Sequence, residues 1–230
     1  MTNLDKLEKQ IGVKFKNRDL LSEALTHRSF LNENNQKDGI SNERLEFLGD
    51  SVLSFVVAQE LFIKNQKANE GDLTALRSLL VRSQTLAECA QEISLGEYLF
   101  LSHGEKRNGQ TNPTLLADAY EALLGAIYLD QGMEKASDFV HNSVLKRKDA
   151  FENDINEADL KGKLQMIVQE KYKKTPIYKL LSEEGPDHKK NFTVGVYLVK
   201  KLLGKGSGES LKKASQDAAS SALESFKEKN

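Results

Sequence analysis

Residues 42–53 have the sequence NERLEFLGDSVL, in which carboxylates recur within an otherwise apolar helical pattern. Glu43, Glu46 and Asp50 are spaced by three and four residues, which places them on one side of a helix. The remaining circumference is mostly apolar, with Leu45, Leu48, Val52, Phe55 and Val56. Because a helix of this kind is typically buried, we expect the acids to line a cleft. An acidic stripe on an exposed helix is the alternative that this segment alone leaves open.

A second apolar segment carries two further acids. Residues 114–130, TLLADAYEALLGAIYLD, place Asp118 and Glu121 on one face at a spacing of three. No Lys or Arg occurs from Asn108 to Glu134, so this helix brings no cation of its own. Buried carboxylates that lie close together repel and require positive charge. The sequence offers a metal ion as the source, or an arginine from elsewhere in the chain, namely Arg28, Arg44, Arg77 or Arg82.

Carboxylates without a set of His or Cys are typical ligands of hard cations such as Mg²⁺ or Mn²⁺. If Glu46 and Asp50 face Asp118 and Glu121 across a cleft, four carboxylates can hold one or two ions. Such a site activates water and binds substrate phosphate, which favours hydrolysis of a phosphate ester. The sequence contains no GxxxxGK[ST], HExxH, CxxC or EF-hand motif, and no Glu-x-x-His pair of a di-iron bundle.

Composition indicates a globular protein of one or two domains. The chain has 230 residues, of which 39% are hydrophobic and 29% charged, with a net charge of −1. Its single cysteine, Cys89, excludes an intramolecular disulfide, fits a reducing compartment and lies in a helical pattern that predicts burial. The first ten residues lack a signal peptide, and the longest apolar run, 123–129, is too short to span a membrane. We therefore expect a soluble, cytoplasmic protein with no membrane partner.

The pattern changes between the two halves of the chain and predicts an α+β protein. Residues 1–150 have helical periodicity throughout and form an all-helical N-terminal domain, and the acidic stretch 151–157 is predicted to be a linker. Residues 158–230 are predicted to form a small α-β-β-β-α domain. Its elements are a helix at 159–173, strands at 177–182, 191–199 and 199–204, a flexible glycine-rich turn at 204–208, and a closing helix at 209–226.

Charge is distributed unevenly between these halves. Residues 1–150 carry a net charge of −4, whereas residues 158–230 contain 15 lysines, no arginine and 9 acids, which gives +6. A basic domain of this kind indicates contact with a polyanion. A solvated lysine-rich surface would have the same composition, so charge alone leaves both interpretations open.

These segments resemble those of bacterial ribonuclease III. The matching blocks of the first domain are ALTHRSF at 24–30, NERLEFLGDSVL at 42–53, EGDLTALRSLLV at 70–81 and LADAYEALLGAIYLDQG at 116–132. In the second, LQMIVQ at 164–169, GPDHKKNF at 185–192 and GSGESLKKASQDAA at 206–219 match the family's double-stranded-RNA-binding domain. The likeness spans nearly the whole chain in the family's order.

The resemblance implies a metal-dependent endoribonuclease that cleaves both strands of double-stranded RNA. It implies 5′-phosphate and 3′-hydroxyl ends with a short 3′ overhang, processing of ribosomal RNA precursors and structured mRNAs, and no small-molecule substrate. Mg²⁺ would be the cofactor, with Mn²⁺ able to substitute. Glu46, Asp50, Asp118 and Glu121 would bind the metal, and Asp50 and Glu121 would be the catalytic residues. A non-cleaving, RNA-binding or ribosome-associated relative is the alternative, which the presence of all four acids disfavours.

The resemblance also assigns residues around this site. Glu43 and Glu70 would be supporting acids near a dimer interface and the RNA path. Phe47 would insert into the second subunit of a homodimer, although ordinary core packing would also explain an apolar side chain there. His27 and Arg28 could contact RNA or brace the fold, and we expect bracing.

Duplex RNA is recognised mainly through phosphates and 2′-hydroxyls over ~16 bp, which requires three separated contact regions on one face. The second domain offers three such sets: Gln165 and Gln169 on its first helix, His188 and Lys189 in a loop, and Ser210, Lys212 and Lys213 at the start of the closing helix. The N-terminus of that helix itself favours phosphate. Two positions depart from the family pattern, Met166 in place of Glu and Leu211 in place of Lys or Arg, which implies weaker binding by this domain.

Overall fold

A computed structural model of the chain describes residues 4–35, 39–106, 109–186 and 190–227, with backbone alone for 153–159 and 227. The chain divides into two compact units, Met1–Phe151 and Glu152–Asn230. Within the described ranges, no helix is both long enough and apolar enough to cross a membrane.

The described part of the first unit consists of helices joined by short turns. The helices are α1 Leu4–Ile11, α2 Arg18–Ala24, α3 Arg28–Glu33, α4 Glu43–Lys64, α5 Glu70–Val81, α6 Ser83–Glu92, α7 His103–Lys106, α8 Pro113–Gln131 and α9 Met133–Ser143, with 3₁₀ turns at Leu95–Tyr98 and Leu145–Arg147. Helix α8 begins with a capped first turn: the Asn112 side chain accepts a hydrogen bond from the Thr114 backbone N–H at 2.9 Å, and Pro113 occupies the first turn.

Helix α8 lies at the centre of this unit. Ten of its residues are buried, and helices α4 and α6 pack against it. Helix α4 exposes more of its apolar residues than its sequence predicts. Val52 and Val56 are buried, but Phe55, expected to be buried with them, is 55% exposed. Cys89 is buried as predicted, and burial raises the pKa of its thiol to about 11.

The second unit has the predicted α-β-β-β-α order. Its elements are helix α10 Lys148–Tyr172, which begins in the first unit, strands β1 Ile177–Glu184, β2 Asn191–Leu198 and β3 Lys201–Gly208, and helix α11 Leu211–Lys227. The strands form an antiparallel sheet in the order β1-β2-β3. Apolar residues of both helices cover one face of this sheet, with a buried core of Leu164, Val168, Val194, Val196, Ala214, Ala218, Ala219 and Ala222.

Two local predictions differ from the structure. The stretch 151–157, predicted to be an acidic linker, is helical within α10. Residues 148–161 contain neither Pro nor Gly, and polarity alone does not break a helix.

The glycine-rich stretch 204–208, predicted to be a flexible turn, is the second half of β3. A Cβ at Gly204 would lie 2.5 Å from the Ala218 carbonyl oxygen, and one at Gly206 would lie 2.1 Å from the Ala218 nitrogen. These glycines therefore allow α11 to approach the strand closely.

Candidate functional site

Two glycines allow α4 and α8 to cross with their backbones in contact. A Cβ at Gly49 would lie 1.8 Å from the Glu121 carbonyl oxygen, and a Cβ at Gly125 would lie 2.3 Å from the Leu45 carbonyl oxygen. No other residue fits at either position without separating the helices. Because Gly49 stands immediately before Asp50, the crossing brings the acids of α4 beside those of α8.

The pKa shifts of the carboxylates show which acids lie near one another at this crossing. Burial, followed by the charges of Asp50, Glu46 and Asp118, raises the pKa of Glu121 to about 8. Burial and then Asp118, Glu43 and Asp50 raise the pKa of Glu46. Burial also raises the pKa of Asp118, which the charge of His27 partly offsets. Glu46, Asp50, Asp118 and Glu121 are called the acid cluster below.

The predicted alternative, an arginine as counter-charge, is not supported by the described residues. The four candidate arginines lie elsewhere: Arg28 beside Glu43, Arg44 near Glu23, Arg82 beside Thr85, and Arg77 in the lining of a groove with Phe62. None of them is among the charges that act on Glu46, Asp118 or Glu121. The cluster thus has the donor chemistry of a site for a hard divalent cation.

The side chains of the acid cluster do not converge on a common point as they stand. Across the described ranges, no three Asp, Glu, His or Cys side chains lie close enough together to hold one metal ion. Like charges without a cation repel, which favours separation of the four carboxylates.

A small cavity of about 70 Å³ opens beside the acid cluster. Its lining comprises His27, Asn42, Glu43, Glu46, Leu99, Leu101, Leu115 and Asp118. His27 is held firmly there: its Nδ1 accepts a hydrogen bond from the Ser29 backbone N–H at 3.2 Å, and its own backbone N–H donates to the Phe100 carbonyl at 3.1 Å. His27 therefore caps α3 and braces the fold while it faces the cavity.

The two predicted supporting acids each have a local contact. Glu43 accepts hydrogen bonds from Arg28 at 3.1 Å and from the Ser41 hydroxyl at 2.9 Å, so Arg28 also has a bracing contact. Glu70 begins α5 and accepts a hydrogen bond from the Thr74 hydroxyl at 3.1 Å.

Phe47, in the segment 42–53, points away from the core. Phe47 is 78% exposed, which excludes core packing as the explanation for this residue within the chain.

The predicted RNA-binding residues are placed on the second unit where the structure describes them. Gln165 and Gln169 are exposed on α10, and Lys212 and Lys213 are exposed in the first turn of α11. The Ser210 hydroxyl accepts a hydrogen bond from the Lys213 backbone N–H at 3.2 Å and so caps that helix. His188 and Lys189 lie outside the described residues.

Both departures from the family pattern are surface residues. Met166 is 70% exposed and Leu211 is 50% exposed.

Three residues of the site were not predicted from the sequence, namely Gly49, Gly125 and Asn42. The two glycines had a signal, since an isolated glycine inside an apolar helix usually has a packing reason. Asn42 is buried at the start of α4 and lines the cavity. A polar residue before a helix indicates a cap, but its side chain makes no capping hydrogen bond here.

Comparisons with known proteins identify the family of the chain. A family model described as "Ribonuclease-III-like" matches residues 17–148, and one described as "Double-stranded RNA binding motif" matches residues 160–225. Ribonuclease 3 of a Nitratiruptor species is 43% identical, with 100% of both chains covered. Ribonuclease 3 of Aliarcobacter butzleri is 42% identical, covering 99% of this chain and 100% of that protein.

Solved structures match the first unit. The nuclease domain of ribonuclease III from Campylobacter jejuni has a TM-score of 0.58 and 43% identity, over 63% of this chain and 97% of that one. That protein is described as showing structural flexibility in a region involved in dimer formation.

Proposed function

The chain belongs to the ribonuclease III family of double-stranded-RNA endoribonucleases, and from that premise we propose that its acid cluster hydrolyses both strands of duplex RNA. One observation carries the assignment of the site: α4 and α8 cross in backbone contact at Gly49 and Gly125. This crossing places four acids near one another, and no described arginine is among the charges that act on Glu121. Membership of this family implies a divalent-metal-dependent nuclease. We propose Mg²⁺ as the metal, with Mn²⁺ as a substitute.

In the proposed mechanism, Glu46, Asp50, Asp118 and Glu121 would hold the metal, and Asp50 and Glu121 would be the catalytic residues. The chemistry that bound Mg²⁺ supplies is activation of water and neutralisation of charge on the scissile phosphate. Without a cation, Glu121 holds its proton at neutral pH because its pKa is about 8. As a ligand of the metal, this carboxylate would be deprotonated. The buried face of α8 fixes the position of its backbone, so the carboxylate moves only by side-chain rotation.

The metal requirement is tested by incubating the full chain with a long RNA duplex. We expect cleavage with Mg²⁺ or Mn²⁺, none with excess EDTA, and recovery when Mg²⁺ is restored. The products should carry 5′-phosphate and 3′-hydroxyl ends with a short 3′ overhang, which end-labelling and sequencing would measure. Single-stranded RNA of the same sequence is the control. Cleavage that persists in EDTA would rule out the metal site.

Stability should depend on pH through Glu121. Its folded pKa, about 8, lies above its ordinary value of 4.5, so the folded state binds the proton more tightly than the unfolded state. In EDTA, stability should therefore fall as pH rises from 4.5 towards 8. Mg²⁺ should raise the thermal midpoint more at pH 8 than at pH 6, because less proton release accompanies binding. Glu121→Gln is the control and should weaken this dependence. An equal Mg²⁺ effect at both pH values would contradict the prediction.

We further propose that the chain acts as a homodimer through the exposed apolar face of α4. Phe47, Phe55, Phe62 and Ile63 are each more than half exposed. A groove of about 190 Å³ lies alongside Phe62, and the supporting acid Glu70 is part of its lining. Exposed apolar surface of this kind is typical of a protein interface. Two acid clusters in a symmetric dimer would cut the two strands.

Replacing Phe47 with glutamate should shift the chain towards the monomer. The introduced charge would have to be buried at the interface without a partner, which is unfavourable. Sedimentation velocity at micromolar concentration would measure the change. Leu129→Glu provides a matched control, since Leu129 is an exposed apolar residue on α8. A mass of one chain for the unsubstituted protein would refute the dimer.

The second unit is proposed to hold the substrate. Its RNA-binding contacts would include Gln165, Gln169, His188, Lys189, Ser210, Lys212 and Lys213. We propose functional boundaries at 1–150 for the nuclease domain and 158–230 for the RNA-binding domain, with 151–157 joining them. Cytoplasmic processing of ribosomal RNA precursors and structured mRNAs is the proposed cellular role.

A further inference from the structure

Asn42 stands before α4 in the position of a cap, but its backbone does not have the conformation of a cap. A capping residue usually has extended backbone angles, and its side-chain oxygen accepts a hydrogen bond from the first turn of the helix. Three asparagines of this chain do so at the starts of α2, α5 and α8, namely Asn17, Asn69 and Asn112. Asn42 instead has helical angles, φ −67° and ψ −11°, and makes no capping hydrogen bond. Its side chain therefore serves a different purpose from theirs.

The backbone of Asn42 is held on both sides. Its N–H donates to the Thr26 carbonyl at 2.9 Å, and its carbonyl accepts from the Glu46 backbone N–H at 2.9 Å. The second of these joins residues four apart, as in an α-helix, so the side chains of Asn42 and Glu46 lie on the same face. Asn42 is therefore fixed one helical turn from a member of the acid cluster.

The side chain of Asn42 is buried without a partner in the part of the chain that the structure describes. Asn42 is 4% exposed, and no described hydrogen bond, ion pair or ring contact involves its amide group. Burial of an amide without a hydrogen bond is unfavourable, and buried polar groups in folded proteins are nearly always satisfied by protein or by water. The amide of Asn42 is thus available to water or to a ligand.

The cavity beside the acid cluster is large enough to hold water. Its volume is about 70 Å³, whereas a cavity needs only ~10–15 Å³ to hold one water molecule. Asn42, Glu46 and Asp118 are all part of its lining, and a buried water needs two to four polar partners of this kind. An asparagine amide can donate to water or to a carboxylate, and being neutral it adds nothing to the repulsion among the acids.

We propose that Asn42 is a positioning residue of the metal site, which holds the Glu46 and Asp118 carboxylates in place through water in this cavity. The inference rests on the proposed function, because it takes these acids as ligands of the divalent cation. Groups that orient metal ligands without touching the metal typically account for about 10–100-fold in metal affinity or activity. Asn42 should therefore set the concentration of Mg²⁺ that the site requires, and should have little effect on the cleavage rate once the site is saturated.

Asn42→Leu tests this role, because leucine is similar in size and has no polar group. The Mg²⁺ concentration that gives half-maximal cleavage of an RNA duplex by the full chain should rise about 10-fold or more. The Mg²⁺ concentration that gives half of the increase in thermal midpoint should rise by the same factor, and this second measurement does not depend on activity. At saturating Mg²⁺ the cleavage rate should be within a few-fold of that of the unsubstituted chain. In EDTA the thermal midpoint should hardly change, because no hydrogen bond within the protein is lost.

Asn42→Gln should recover most of the Mg²⁺ affinity, since the cavity has room for a longer side chain that carries the same amide. The proposal is overturned if Asn42→Leu needs no more Mg²⁺ than the unsubstituted chain, or if Asn42→Gln behaves like Asn42→Leu. It is also overturned if Asn42→Leu lowers the thermal midpoint in EDTA and leaves the response to Mg²⁺ unchanged, which would make Asn42 a purely structural residue.

Asn17→Leu is the matched control, since the Asn17 side chain caps α2 by accepting from the Asp19 backbone N–H at 3.0 Å. Loss of this cap should lower the thermal midpoint by about 2–4 °C and leave the response to Mg²⁺ unchanged. The unsubstituted chain separates two kinds of failure. If it shows no response to Mg²⁺ in either measurement, the proposed metal site is wrong. If it responds and Asn42→Leu responds equally, only the role of Asn42 is wrong.

Discussion

Replacing Glu121 with glutamine is expected to lower the rate of duplex cleavage by about 10³-fold or more, the scale seen when a group that stabilises a transition state is removed. Duplex affinity should remain within a few-fold. The substituted side chain has nearly the same size, but it cannot become a negatively charged metal ligand. Single-turnover cleavage in Mg²⁺ and anisotropy in EDTA would measure the two quantities separately.

The fold itself should tolerate this change. Because the pKa of Glu121 is about 8, its side chain is already neutral at pH 7 in the metal-free protein. A neutral amide therefore preserves the charge state of the metal-free site. The thermal midpoint in EDTA should stay close to that of the unsubstituted chain, whereas the rise on adding Mg²⁺ should be largely lost.

Glu134→Gln is the matched control, since Glu134 is exposed in the first turn of α9. It should cleave at the normal rate. Substantial Mg²⁺-dependent cleavage by Glu121→Gln would remove Glu121 from the catalytic set. An equal loss in both variants would indicate a general effect of charge.

Replacing Gly49 with alanine is expected to destabilise the first unit by about 3 kcal/mol, the upper part of the usual range for overpacking. The new Cβ would lie 1.8 Å from the Glu121 carbonyl oxygen, and both contacting groups are helix backbone. No rotamer change can relieve that overlap, so α4 and α8 must separate. Urea unfolding followed by circular dichroism would measure the loss.

Cleavage should fall as well, because separated helices carry the acids apart. A misplacement of about 1 Å in a catalytic site can cost 10²-fold in rate. The cleavage rate should be measured at low temperature, where the variant is folded, so that the result does not depend on stability. Gly125→Ala should behave similarly, since its Cβ would lie 2.3 Å from the Leu45 carbonyl oxygen.

Gly104→Ala supplies the control within the same unit. A Cβ there would meet its nearest neighbour, the Ser102 hydroxyl oxygen, at 4.0 Å. Its stability and activity should be close to those of the unsubstituted chain. If Gly49→Ala were as stable as Gly104→Ala, the close crossing of α4 and α8 would be wrong.

The sequence predicted the acid cluster because helical periodicity determines which residues share a face. Spacings of three and four placed Glu46 with Asp50, and Asp118 with Glu121. Their approach across two helices was a conjecture, because periodicity on one helix says nothing about which other helix it meets. Resemblance to a family supplied that pairing, and the glycine crossing now gives it a physical cause.

The differences between expected and observed conformation have a common origin in local composition. Acidic residues at 151–157 suggested an irregular segment and glycines at 204–208 suggested a turn, yet the backbone is helical in the first case and extended in the second, while the role of 151–157 as a linker stays a prediction. In β3 the small side chains serve the approach of α11, which is a tertiary requirement. Phe55 was expected to be buried because it is apolar. Part of the apolar surface of α4 nevertheless faces outward, and Phe55 lies on that part.

The crossing at Gly49 and Gly125 has a consequence for how this enzyme tolerates mutation. Backbone atoms, not side chains, set the separation of α4 and α8 at this point. Exchange of leucines and valines elsewhere in the core is therefore expected to change the separation of these two helices little. Sequence drift in the interior would change how long the protein survives heat while leaving its chemistry intact. Because Gly49 and Gly125 set the separation of α4 and α8, we expect catalysis to depend little on substitutions elsewhere in the core.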